Sequence, residues 1–118
     1  MRIVIPVDDN QKDMCLVFAR TPMFLVYDDE DDSYTYIDNE AKDAEGGAGV
    51  KAAQIVVDND ADILISFRCG ENANEVFKMA DVKVYKAVSN IAKENIEMFK
   101  RHELEELTKF HGGYHGIR

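Results

Sequence analysis

Residues 61–80 read ADILISFRCGENANEVFKMA, and this run decides the fold because its hydrophobic period changes within a few positions. Ile63, Leu64 and Ile65 form the short apolar run of a strand covered on both faces, and Gly70 lets the backbone leave it sharply. Asn72 is a candidate helix cap, with Glu75 three positions on as its partner, a relative of the Ser/Thr capping box. Ala73, Val76, Phe77 and Ala80 then recur at helical spacing and predict a helix face laid on a sheet. Cys69 falls in the turn. A ligand there would meet a thiol and free backbone N–H groups together, at the carboxyl end of a strand, where open α/β sheets bind ligands.

Upstream, Arg2 to Val7 is nearly continuous in apolar character, as a central strand requires, and Pro6 predicts that its ladder ends or bulges there. Cys15 to Phe18 is a short apolar piece, and Pro22 imposes extended or turn geometry on Thr21. Met23 to Tyr27 and Tyr34 to Ile37 read as a hairpin around the five consecutive acids Asp28 to Asp32. These acids lack the alternating ligands and the glycine of an EF-hand loop, so they predict a solvated turn that protects a sheet edge. Gly46-Gly47-Ala48-Gly49 leads into a helix through about Val57, with Val50, Ala53 and Val57 on its apolar side. No GKS/T follows those glycines and GxGxxG is not matched, so they do not read as a phosphate loop.

Downstream, Asp81 to Tyr85 reads as a strand, and Ser89 as the cap of a helix running to about Arg101 with Ile91, Ala92, Ile96 and Phe99 as its stripe. Leu104 and Leu107 predict a short terminal helix or its last turn, and residues 111–118 a mobile tail after a single domain spanning residues 1–110. Strand, hairpin, helix, strand, helix, strand, helix is an α/β order. It gives a mixed five-stranded sheet with a hairpin edge and helices packed on it, since parallel neighbours need right-handed crossovers.

At 118 residues, 46% apolar and 31% charged, the composition is that of one soluble domain. No apolar run is long enough to cross a bilayer, the first residues read as a strand and not a signal peptide, and the expected location is cytoplasmic. A formal net charge of −9, from 23 acids against 14 bases, disfavours nucleic acid and anionic membranes as partners. The two cysteines, Cys15 and Cys69, are far apart, and no CxxC or Cys/His set with zinc spacing is present.

Four segments carry a resemblance to the dinitrogenase iron-molybdenum cofactor biosynthesis family, whose domain has a ribonuclease H-like sheet. MRIVIPVDD resembles its opening strand, Phe18-Ala19-Arg20-Thr21-Pro22-Met23-Phe24 its FGRAPxF segment, and Gly47-Ala48-Gly49-Val50-Lys51-Ala52-Ala53 its GAGxxAA helix start. Cys69-Gly70-Glu71-Asn72-Ala73, followed by Val82-Lys83-Val84-Tyr85, resembles its glycine loop, helix and next strand. The likeness spans about residues 1 to 107. It implies a ribonuclease H-like fold and a protein that binds, carries or delivers an iron-sulfur or molybdenum-containing cluster, or its precursor, without catalysis. A cluster-assembly protein is then the implied partner, and a homodimer along an exposed strand is a further expectation. Where the family often has a histidine, this chain has Val17, and Phe67 and Arg68 replace two loop glycines. These departures favour the alternative of a cofactor-free interaction or regulatory module that retains the fold.

Thiolates are the usual ligands of iron-sulfur clusters, which makes Cys69 and Cys15 the candidate metal ligands. Cys69, ahead of a helix and beside Arg68, is expected to have a lowered pKa; the competing reading of both cysteines is packing as small hydrophobes. Arg20 is a candidate to hold an anionic cluster through its forked donors, against the alternative of a surface ion pair. Gly70 and Asn72 complete the predicted cofactor-binding set. His102, His111 and His115 are read as solvent-exposed. A nuclease reading fails, because Asp8 and Asp9 have no second and third acid at matching positions, and no nucleophile motif appears.

Overall fold

The computed structural model describes residues 1–112. Five strands form one mixed sheet: β1 (Arg2–Val7), β2 (Met23–Asp28), β3 (Ser33–Asp38), β4 (Ile63–Ser66) and β5 (Lys83–Lys86). Their order across the sheet is β3-β2-β1-β4-β5, with the antiparallel hairpin β2-β3 forming one edge and β1, β4 and β5 mutually parallel. Three helices cover it: α1 (Ala48–Asp58), α2 (Glu71–Met79) and α3 (Ala92–Lys100). The expected α/β architecture with a ribonuclease H-like mixed sheet is the one observed.

Burial on both faces follows from the strand pattern. Val4, Phe24, Val26 and Leu64 point to one face and pack with Ala52, Ala53 and Val56 of α1 and Ala73 and Phe77 of α2. Ile3, Ile5, Leu25, Tyr27, Ile63 and Ile65 point to the other and meet Ala92 and Ile96 of α3. All four residues of β4 are buried, as the continuous apolar run predicts. Lys93 and Lys100 of α3 lie over the rings of Tyr34 and Tyr27, at 4.1 and 4.7 Å, so the helix also clamps the hairpin through cation–π contacts.

Pro6 neither ends nor bulges β1, which pairs with β2 through Val7. The Asp29 N–H donates to Met1 O, so odd residues of β1 direct their backbone groups to β2 and even ones to the other side. The missing N–H of Pro6 therefore faces β4, where the parallel pairing has already stopped at Val4. The same alternation holds at the hairpin. Asn39 N–H donates to Pro22 O, which turns the backbone groups of Tyr34, Tyr36 and Asp38 outward along an uncovered edge. The acidic turn beside that edge is stitched: Tyr27 OH donates to Asp32 Oδ1 at 2.6 Å, and the N-terminal ammonium pairs with Asp29 at 2.8 Å.

The starts of α2 and α3 depart most from expectation. The N-cap of α2 is Gly70, and Asn72 lies inside the first turn with no capping bond, because His111 O accepts the Glu71 N–H and starts the helix earlier. Glu75 pairs with Lys78 at 3.6 Å and not with a cap. For α3 the N-cap is Ile91; Ser89 Oγ accepts the Ile91 N–H one position before the helix proper. No terminal helix forms at Leu104 to Leu107. That segment pairs along the outer edge of β5, Lys86 N–H donating to Glu105 O and Leu107 N–H to Val84 O. Of the expected tail, His111 and Gly112 are placed against the Cys69–Glu71 loop, and residues 113–118 lie outside the described residues, His115 among them. Among the described residues no helix is long and apolar enough to cross a membrane.

Asn95 is fully buried on the inner face of α3, a position that reads as polar in sequence. Its Oδ1 accepts Val88 N–H and Ser89 N–H at 2.9 and 3.0 Å, and its Nδ2 donates to Ser89 O and Ile91 O at 2.8 and 3.3 Å. One side chain thus ties the loop after β5 to the helix. Asn95→Ala strands these backbone groups and is expected to cost about 2–4 kcal/mol. Urea denaturation should show a lower midpoint with an unchanged slope.

Candidate functional site

Where β4 ends, the chain has to turn toward α2, and α1 begins beside it on the same face of the sheet. A cleft of about 650 Å³ opens between them. Its walls come from Leu16 to Arg20, from Glu45 to Val50 around the start of α1, from Arg68, Gly70, Asn72 and Ala73 around the start of α2, and from His111 and Gly112. That volume falls within the range of small-molecule and cofactor pockets.

Two helix N-termini converge here. Gly47 is the N-cap of α1 in the left-handed conformation, at φ 69°, which favours glycine, and no side chain caps the helix. Lys51 is the first residue of α1 whose N–H returns to the helix, donating to Gly47 O, so the N–H groups of Ala48, Gly49 and Val50 lack an intrahelical acceptor. In α2 the first returning N–H is that of Asn74, to Gly70 O, while Glu71 N–H goes to His111 O. Asn72 and Ala73 N–H remain directed out of the helix start. The glycine run 46–49, which lacks a phosphate-loop motif, nonetheless sits in the wall; small residues let the backbone itself form the surface.

The arginines set the charge. Arg2 pairs with Asp28 at 3.3 Å, and Arg101 with Glu103 at 3.1 Å. Arg20 and Arg68, both lining the cleft, form no ion pair among the described residues. Arg20 is neither ion-paired nor idle: its Nη1 donates to Lys42 O and Ala44 O at 2.7 and 2.8 Å, bracing the strand-to-helix connection that carries the glycines. Among the described residues Nε and Nη2 meet no acceptor and are left for another. In a chain of net charge −9, two guanidinium groups without carboxylate partners facing one cleft mark it as a place for an anion.

The cysteines lie elsewhere. Cys69 is only 1% exposed, packed in the core beneath the cleft, and its thiol donates to Gly70 O at 3.6 Å. Burial pushes its pKa up to about 12, the reverse of the lowering expected from a helix start and Arg68. The reason is packing around the turn: Arg68 stays exposed, while Cys69 joins the core cluster that holds Ala73 and Phe77 of α2 and Ala52, Ala53 and Val56 of α1. Cys15 is half-buried, with its thiol directed to Val17 O at 3.7 Å, and both cysteines are free. Neither lines the cleft. Arg20, Gly70 and Asn72 of the predicted set do, and the structure adds Arg68, the 46–50 backbone and His111.

A thiol whose pKa rises on folding favours the native state only while the unfolded thiol stays protonated. The contribution is complete below the ordinary thiol value of 9.0 and is lost as pH rises from there toward about 12. Stability should therefore fall above pH ~9 in the wild type, and less steeply in Cys69→Ala, when urea midpoints are compared across the alkaline range. In native protein at pH 8, iodoacetamide should label Cys15, and Cys69 only after unfolding, as read by mass spectrometry.

Comparison with known proteins places this geometry in context. The apo orange protein from Desulfovibrio gigas superposes with a TM-score of 0.83 at 23% identity, over 90% of this chain and 92% of that one. A protein assigned as NifB from Thermotoga gives 0.78 at 36% identity, over 92% and 95%. A Methanocaldococcus jannaschii protein assigned as a dinitrogenase gives 0.71 at 20% identity, over 92% and 96%. No curated protein matches the chain. The family model described as "Dinitrogenase iron-molybdenum cofactor" matches residues 1–102, nearly the whole of the described chain. The chain belongs to the dinitrogenase iron-molybdenum cofactor family.

Proposed function

We propose that this protein carries an anionic metal-sulfur cluster, iron-sulfur or molybdenum-containing, or its precursor, and that it does so without catalysis. Family membership supports a cofactor-associated carrier. The observation that bears on the mode of holding is the pair Arg20 and Arg68, unpaired with carboxylates among the described residues, beside two helix starts that no side chain caps, in one cleft. Such clusters bear negative charge on sulfide, and sulfide accepts hydrogen bonds from guanidinium and backbone N–H groups. The cargo in this reading is held by charge and hydrogen bonds, and Cys69 serves as core packing beneath it, not as a ligand. A carrier gains from such a grip, because no covalent thiolate bond has to be broken on delivery.

The rim also supports a partner. Leu16, Val17 and Val50 are 60%, 53% and 40% exposed at the mouth of the cleft, an apolar lip suited to the cluster-assembly protein that loads or unloads it. The same lip is what a cofactor-free interaction module would use, so the two readings part on cargo alone.

Anaerobic equilibrium dialysis with tetrathiomolybdate, a compact sulfide-bearing dianion, separates them. Wild type should bind it with an affinity that falls with salt; Arg20→Ala and Arg68→Ala should each weaken binding about tenfold or more, and Cys69→Ala should leave it nearly unchanged. Failure of wild type to retain either tetrathiomolybdate or an iron-sulfide cluster would sink the carrier reading and leave the module.

A further inference from the structure

After α3 the chain does not drift away. Residues 105–107 pair along the outer edge of β5, Phe110 packs against the core, and the next residue is tied on both sides. His111 N–H donates to Cys69 O at 3.3 Å and His111 O accepts Glu71 N–H at 2.9 Å, a parallel bridge centred on Gly70. The imidazole is thereby laid over Gly70, where a methyl group would stand 3.1 Å from Cε1. The absence of a side chain at position 70 thus makes room for a ring in the cleft wall.

The ring's orientation carries chemistry. Nδ1 lies 3.2 Å from Gly112 O, and the tautomer that donates this bond leaves the lone pair of Nε2 unprotonated. Arginines and backbone N–H groups hold anions and cannot coordinate metal. Among the described side chains lining the cleft, Glu45 and the Asn72 carbonyl offer hard oxygen, and His111 alone offers the imidazole nitrogen that suits iron. No group of three His, Cys, Asp or Glu among the described residues could hold a bare cation, whereas one imidazole suffices for a metal that arrives with its own sulfide shell.

We propose that His111 Nε2 forms the one coordinate bond between this protein and its cargo, to an iron atom with an open position on the anionic cluster held in the cleft. This rests on the carrier reading given above. The step forms an Nε2–iron bond and releases a water or a small thiolate from that iron; no electron or proton changes hands. Charge would then seat the cluster, and the imidazole would fix which metal atom faces the protein.

The test uses the full chain with ¹⁵N-labelled histidine, reconstituted anaerobically with iron(II), sulfide and dithiothreitol, then reduced with dithionite for pulsed EPR. Wild type should show a ¹⁵N hyperfine coupling to the cluster, absent in His111→Ala and in the bulkier His111→Gln, and both variants should lose the cluster to a chelator at least ~10-fold faster. Circular dichroism establishes that the variants are folded. A wild-type cluster without the coupling, or a coupling that survives both substitutions, overturns the assignment of His111 while leaving the carrier reading intact. A wild type that retains no cluster removes both.

Discussion

The position of β1 governs the rest. It pairs antiparallel with β2 on one side and parallel with β4 on the other, so it lies inside the sheet and five of its six residues are buried. A strand enclosed in this way needs cover on both faces. Helices α1 and α2 supply it on one face and α3 on the other. Because β4 and β5 run parallel to β1, α2 must return across the face between them, and α1 packs beside it. Two helix starts are then brought to the end where β4 stops. The cleft is a by-product of that crossover geometry before it is anything chemical.

What the cleft became depends on which residues the loops contribute. The charged side chains of its wall are Arg20 and Arg68, with Glu45 opposing them. The thiol that the amino-acid pattern offers at this point is withdrawn into hydrocarbon, and the arginine next to it takes the exposed place. Arg68 thereby adds an exposed positive charge at the mouth of the cleft.

The sheet was legible because its signals are local. The runs Arg2 to Val7 and Ile63 to Ile65 are too apolar to be edge strands, and the acidic turn between two β-rich segments marks a hairpin. The starts of α2 and α3 were not, because distant partners set them: Glu71 N–H meets His111 O, and Ala92 N–H meets Lys12 O. No capping rule confined to neighbours can see such bonds. The same limit divides the site. Arg20, read from segment likeness, and Gly70 and Asn72, read from the strand-to-helix turn, line the cleft. His111 was assigned to a structureless tail because its order comes from Cys69 and Glu71, some forty residues earlier. Cys69 was misplaced because its burial comes from α1 and α2 packing over the turn, a tertiary contact that the residues beside it do not reveal.

The hairpin has a colloidal consequence. Tyr34, Tyr36 and Asp38 direct unsatisfied amides and carbonyls into solvent, a ready template for another strand. The carboxylates from Asp28 to Asp32 stand at one end of this margin and Asp38 and Glu40 at the other. An antiparallel second copy would bring the two acidic ends face to face, and Coulomb repulsion guards the edge. The guard is only as strong as its ionisation. Concentrated salt or mild acid would disarm it, and two copies could then pair edge to edge through β3 while each folded domain stayed intact.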